Sequence, residues 1–262
     1  METYQALTAY YNRYDEDGRL RSRHGMVEYL TTMRYIQRYL RPGMRILEIG
    51  AATGRYSHAL ARMGYRVDAV ELVSHNIEVF KENTQPGEEI TITQANAKDL
   101  SCFASGTYDI TLLLGPMYHL FTEAEQRQAL SEAIRVTKTG GVVFAAYCGN
   151  EATLVQYCFG RGMIKEQRYR DLIDPVTFKA SSDPAELFQL YRREDIDALM
   201  KNFSVTRMHY VGTDMATNYM RQAVDEMDDE LFDLYLKYHF AICERSDLVG
   251  ASHHILDIFR KD

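Results

Sequence analysis

Three groups of residues have the types and spacing to do chemistry. The first is the run Ile46-Leu-Glu48-Ile-Gly50-Ala51-Ala52-Thr-Gly54-Arg55. An apolar, β-branched stretch meets two glycines and then a helical pattern, the signature of a strand, a tight turn and a helix. Glycines in such a turn let backbone approach a ligand closely, and the first helical N–H groups attract negative charge. An acid, Glu48, stands two residues before Gly50, and a second acid, Glu71, follows Gly50 by 21 residues. That is close to the roughly 20 residues at which a carboxylate meets a ribose hydroxyl in dinucleotide-binding folds. A dehydrogenase fingerprint would read G-x-G-x-x-G. Here Ala52 stands between Gly50 and Gly54, and the acid precedes them, which argues against a nicotinamide enzyme. The bland alternative is two solvated acids at strand ends.

The second group is Gly115-Pro-Met117-Tyr118-His119-Leu120. A histidine there can serve as a base near neutral pH, or it can hydrogen-bond across a cover. The third is His253-His254 with Asp257. If they alternate on a strand, His253 and Asp257 share one face. No third ligand stands in pattern, so no metal site is expected.

The elements that position these residues follow from hydrophobic spacing. Met26, Leu30, Met33 and Leu40 mark one face of a helix over 26–40, stopped by Arg41-Pro42-Gly43. Strands are expected at 45–50, 66–71, 90–94, 108–114 and 142–148. The fourth is apolar throughout, as suits a strand covered on both faces. Between them fall helices at 56–63, closed by Gly64, at 74–83, with Ser74 as N-cap, and at 122–136. The last opens on the capping box Thr122-Glu-Ala-Glu125, with Leu130, Ala133 and Ile134 facing inward. After Asn150 the rhythm breaks. Asp183-Pro184-Ala-Glu186 resembles one more helix start, strands return at 203–211 and 253–259, and 214–248 reads as two acidic helices. Strand–helix alternation at short spacing gives an α/β fold with a mostly parallel sheet and helices on both faces.

The chain has 262 residues with 30 Lys+Arg against 37 Asp+Glu, a formal charge of −7. Affinity for nucleic acid comes largely from neutralised phosphates, so an acidic chain disfavours that partner. Four cysteines (Cys102, Cys148, Cys158, Cys243) show no finger spacing and read as reduced thiols. No segment has the length of a membrane span, and the first residues lack the pattern of a signal peptide. A cytoplasmic protein, monomer or homodimer, is the expectation.

In order along the chain, Glu48-Ile-Gly50-Ala51-Ala52-Thr-Gly54, Glu71, Ala95-Asn96-Ala97-Lys-Asp99, Asp109–Leu114 with Gly115-Pro-Met-Tyr118-His119, and Arg135-Val-Thr-Lys-Thr-Gly140-Gly141 resemble the motifs of class I S-adenosylmethionine-dependent methyltransferases. The resemblance covers residues 45–148 well and implies a Rossmann-like sheet of seven strands. It implies that S-adenosylmethionine is the methyl donor and S-adenosylhomocysteine the product. Glu48 and the loop Gly50, Ala51, Ala52 and Gly54 would hold the donor's amino-acid end. Glu71 would clasp the ribose, and Leu72, Asn96, Ala97 and Asp99 would meet the adenine. Leu114 and Gly115 would line the site, while Tyr14 would close over it. Tyr118 and His119 would be the candidate catalytic residues, facing a small-molecule acceptor. Two residues depart from the family pattern: Ala52 replaces a glycine, and Thr139 replaces a proline. The expected layout is an N-terminal helical cover at 1–41, a donor-binding core at 42–148, a cap insertion at 149–193, core again at 194–213, a helical cap at 214–249 and a final strand at 250–262. Rival expectations are an RNA methyltransferase and a donor-binding protein without turnover. A Gly50→Val change is expected to fill ligand space while leaving the fold intact.

Overall fold

A computed structural model describes residues 2–11, 18, 20–184 and 188–262. Its centre is one eight-stranded sheet, ordered β3-β2-β1-β4-β5-β8-β7, with β6 paired beside β5. The strands are β1 Arg45–Ile49, β2 Arg66–Glu71, β3 Ile90–Gln94, β4 Tyr108–Leu113, β5 Thr137–Gly149, β6 Leu190–Tyr191, β7 Val205–Gly212 and β8 His254–Lys261. The first five run parallel, and β8 lies antiparallel to both β5 and β7. The two-residue β6 is an eighth strand beyond the seven expected, too short to carry any periodicity.

Alternation along the strands sorts side chains onto two faces. Leu47 and Ile49 of β1 join Leu113, Val143 and Tyr147 on one face, under Leu130 and Ala133 of helix Glu123–Val136 and Ile196 of helix Arg193–Met200. Ile46 joins Ile110, Phe144 and Ile258 on the other, under Ile36 of helix Arg23–Tyr39 and Leu60 of helix Arg55–Arg62. Both faces are therefore covered, which is why β1 and β4 read as nearly continuous apolar runs. Ile134, expected to face inward, is only partly buried against the first cluster.

Local signals set most of the boundaries. Ser22 caps helix Arg23–Tyr39, accepting from Gly25 N–H at 3.2 Å, so that helix starts earlier than the apolar spacing alone implies. Thr122 caps Glu123–Val136 as expected. Ser74, expected as an N-cap, is instead the first residue of helix Ser74–Asn83; Val73 precedes it, and no side chain caps the turn. The helix start at Asp183-Pro184 runs into residues 185–187, outside the described residues. The 149–193 stretch contains short helical turns at Asn150–Thr153, Leu154–Phe159, Met163–Lys165 and Gln167–Arg170. The 214–249 stretch contains Met215–Met220, Arg221–Asp225 and the longer helix Asp229–Ile242. Among the described residues, no helix is long and apolar enough to cross a membrane.

The chain runs from β1 out to β3 and returns to β4 on the far side of β1. Ile46 pairs with both Val67 and Ile110. The strand order therefore reverses at β1/β4, and open α/β sheets bind ligands beyond the carboxyl ends of the strands at such a point.

Candidate functional site

At that edge two cavities adjoin. The smaller, about 300 Å³, lies over β1, β2 and β4; the larger, about 710 Å³, lies over β5 and β8 beneath the 149–193 and 214–249 stretches. Tyr11 and Tyr118 line both and form the wall between them.

The smaller cavity is built by the loop after β1. Gly50, Ala52 and Gly54 all have positive φ, at 76°, 48° and 89°. The loop is anchored by Gly50 N–H donating to Val70 O at 2.8 Å and by Ala52 N–H donating to Glu71 Oε2 at 2.8 Å. Glu71 Oε1 accepts from Val73 N–H, also at 2.8 Å. Burial raises the Glu71 pKa, opposed by these N–H donors. Leu72 N–H and the Asn76 side chain also donate to this carboxylate, so the whole loop fixes its orientation toward the cavity.

Glu48 is buried, and the Ser57 hydroxyl donates to it. Burial pushes its pKa up to about 8, so the carboxyl is largely protonated at neutral pH. Arg55 lies across the same cavity, with its guanidinium over the Tyr29 ring at 4.7 Å and its Nε buried without a hydrogen-bond partner. Sequence reading passed over Arg55, although it directly follows Gly54. A buried, unpaired N–H of a guanidinium calls for an acceptor, and a carboxylate fits it best.

Most expected residues meet here: Glu48, Gly50, Ala51, Ala52, Glu71, Leu72, Asn96, Ala97, Leu114, Gly115, Tyr118 and His119 all line the smaller cavity. Three do not join them. Asp99 is exposed on a turn, its carboxylate accepting from Ser101 N–H at 3.0 Å, so it caps that turn instead of reading a base. Gly54 sits behind the cavity, where an added Cβ would lie 2.6 Å from His58 and Phe80. Tyr14 lies outside the described residues. At Gly50 an added Cβ would meet Pro116 Cδ at 2.7 Å, so Gly50→Val would strain the fold itself, contrary to the expectation of an intact one.

His119 Nε2 is 2.9 Å from the Tyr11 hydroxyl, and the Tyr118 hydroxyl donates to Leu114 O at 2.8 Å. The Tyr118 bond thus closes the loop after β4 on itself, and His119 bonds across to the N-terminal helix Glu2–Tyr11.

The larger cavity pairs an aromatic and aliphatic lining, which includes Leu154, Tyr157 and Phe188, with a polar end. That end holds Asp214, His253 and His254. His254 Nδ1 stands 2.8 Å from Asp214 Oδ2 and 3.2 Å from Glu28 Oε2. Burial disfavours charge on Asp214, but its bonds to His254 and Ser252 and the nearby His253 hold its pKa well below the usual range. Asp257, expected beside His253, is turned into the sheet instead. It is fully buried and bridged by Arg207 through two bonds of 2.6 and 2.9 Å. The alternation fails because β8 begins only at His254, after a bend at His253.

Residues 46–141 match the family of methyltransferase domains. The chain is 34% identical over 128 residues to a ubiquinone biosynthesis O-methyltransferase of Methylocella silvestris, covering 48% of each. It is 30% identical over 158 residues to a demethylmenaquinone methyltransferase of Clavibacter sepedonicus, covering 60% of this chain and 59% of that protein. It thus spans about half the length of these curated relatives. Among solved structures, an S-adenosylmethionine-dependent methyltransferase of Thermotoga maritima, described as a possible histamine N-methyltransferase, superposes with a TM-score of 0.58. The two are 16% identical over 99% of this chain and 100% of that one. Magnesium protoporphyrin IX methyltransferase of Synechocystis, solved with bound S-adenosylhomocysteine, gives 0.54 at 12% identity over 91% of this chain and 83% of that one.

Proposed function

We propose that this chain, which belongs through residues 46–141 to the class I S-adenosylmethionine-dependent methyltransferases, transfers a methyl group from S-adenosylmethionine to a small molecule held in the larger cavity. The observation that carries this reading is the pair of adjoining cavities at the carboxyl edge, one lined by the glycine loop and Glu71, the other larger and mostly apolar. The fit of the donor rests on chemistry of matching sign. Glu48 faces the ammonium, Arg55 the carboxylate and Glu71 the ribose diol, with Leu72, Asn96 and Ala97 around the adenine.

When bound, the donor supplies a methyl group on a sulfonium, already a good leaving group. The chain's task is then orientation and exclusion of water, which supply most of the rate in such a step. Tyr11, Tyr118 and His119 shape the passage between the cavities. Residues 149–193 and 214–249 form the cap over the acceptor and select it. The quinone-directed relatives and the aromatic lining both support an aromatic, hydroxylated acceptor. The acidic chain, at a formal charge of −7, argues against an RNA substrate.

Isothermal titration with S-adenosylmethionine, followed by mass spectrometry of mixtures with phenolic and quinol acceptors, tests this. The expected result is one donor per chain and an acceptor heavier by one methylene. Donor binding without any methylated product across such acceptors would instead favour a donor-binding protein without turnover. Absence of donor binding would overturn the reading altogether.

A further inference from the structure

We propose that Asp214, His253 and His254 form a binding site for a divalent first-row transition ion at the polar end of the larger cavity. One candidate ligand atom from each of the three residues lies within 4.8 Å of the others. Ligands 2.0–2.2 Å from one ion stand about 3–3.5 Å apart at tetrahedral or octahedral angles. The 2.8 Å between His254 Nδ1 and Asp214 Oδ2 is close to that range, and Glu28 Oε2, 3.2 Å from His254 Nδ1, stands beside the set.

A second observation points the same way. His253 Nδ1 is buried and has no hydrogen-bond partner, although its residue lines the cavity. An orphaned imidazole nitrogen is rare, and beside two carboxylates and another imidazole it matches a missing ligand contact. Furthermore, one ring nitrogen of His254 faces two carboxylates at once. A single N–H cannot satisfy both well, whereas an ion shared with Asp214 takes one of the two.

The support behind the set is also that of a metal site. Asp214 Oδ1 is pinned by the Ser252 hydroxyl at 2.7 Å and by the backbone N–H groups of His253 and His254 at 2.9 and 3.1 Å, which leaves Oδ2 for the ion. Such outer bonds orient first ligands and sharpen affinity. The bend at His253 places the two imidazole rings 4.5 Å apart on the same side of the chain. Arg221, the nearby cation on the cavity wall, is engaged by Asn218 Oδ1 through its Nε at 2.9 Å. Two imidazoles and one carboxylate suit Zn²⁺, Fe²⁺, Mn²⁺ or Co²⁺ better than Ca²⁺ or Mg²⁺, which prefer oxygen ligands alone.

An ion held there presents its open positions to the cavity and would bind an acceptor through an oxygen atom. This second part rests on the methyl-transfer reading; the ion site does not.

The test uses the full chain, stripped with a chelator and titrated with Co²⁺ while its visible d–d bands are followed, then challenged with Zn²⁺. One Co²⁺ per chain, displaced by Zn²⁺, is expected. His253→Asn, at a residue whose ring nitrogen has no partner to lose, is expected to weaken Co²⁺ binding by roughly 100-fold. Asp214→Asn should do the same, but it also removes an anchor for three donors and can unfold the end of β8. The His253 variant therefore decides the matter, with its circular dichroism as the check on folding. Absence of stoichiometric Co²⁺ uptake by the native chain, or unchanged uptake by a folded His253→Asn variant, would overturn the site. Titration of both proteins with S-adenosylhomocysteine separates this outcome from failure of the donor reading, because the ion ligands lie outside the donor cavity.

Discussion

Glu71 shows how one carboxylate can serve both a loop and a ligand. It accepts Ala52 N–H and Val73 N–H at 2.8 Å each and faces the donor cavity. Charge-assisted bonds from a ribose diol would add to these. Glu71→Ala is therefore expected to weaken S-adenosylhomocysteine binding by about 2–3 kcal/mol, or roughly 30- to 150-fold. Calorimetry reads this directly, and an unchanged dissociation constant would remove Glu71 from the donor site. Glu48 makes a prediction about pH. Its folded pKa is raised from 4.5 to about 8 by burial. A raised carboxyl contributes stability that is fully present below the unfolded value and is lost as pH climbs through about 8. Donor binding has the opposite sign, because an ammonium needs the carboxylate, so uptake at pH 7 should release a proton from Glu48. The binding enthalpy should then vary with the ionisation heat of the buffer, and Glu48→Gln should abolish that variation. Both acids were legible in the sequence because their spacing is set by one strand–turn–helix unit. Arg55 was not, since its role depends on an unpaired Nε that only the folded cavity reveals.

Elements were legible wherever a single period governed them. The first four strands fall almost to the residue where expected: β1, β2 and β4 are covered on both faces and nearly all buried, while the edge strand β3 alternates and is partly exposed. Departures came where a few residues decide. The strand β6 has two residues, and the bend at His253 takes that residue out of the alternation of β8, so spacing alone does not put it on one face with Asp257. Asp214 reaches the histidine pair through contacts across 40 residues, and no local pattern announces that. The loop after β1 combines a readable motif with a backbone conformation that only the fold imposes. Ala52, at φ 48°, occupies the left-handed region where a side chain crowds its own carbonyl, at a cost of about 1–2 kcal/mol. Ala52→Gly should relieve this and raise Tm by about 2–4 °C in a chain of this size. Part of the gain is offset by the freer unfolded chain. Thermal melts check it, and a lowered Tm would mean that the methyl group of Ala52 packs better than its backbone angle suggests.

At the scale of the whole molecule, the two cavities share a wall contributed by distant parts of the chain. Tyr11 comes from the N-terminal helix and Tyr118 from the turn after β4, while His119 bonds the first and stacks edge-on against the second, with ring centroids 5.7 and 4.9 Å apart. The sequence placed Tyr118 and His119 at this edge, since the loop after a strand next to β1 must open there. It left two roles for His119, and the bond to Tyr11 favours the one that ties the cover down. If that is its role, His119→Ala and Tyr11→Phe break the same contact from opposite sides. Each should lower kcat by about tenfold or less, and the double variant should lose no more than either single one, since shared contacts are not additive. The pH–rate profile should keep its shape in all three. A base would behave differently: its removal would lower kcat by roughly 10²–10⁴ and erase a limb of the profile near neutrality, while Tyr11→Phe left that limb in place. Steady-state kinetics across pH 5–9, with donor affinity measured alongside, separates the two roles. Loss of the limb in His119→Ala alone would make His119 the proton acceptor of the reaction.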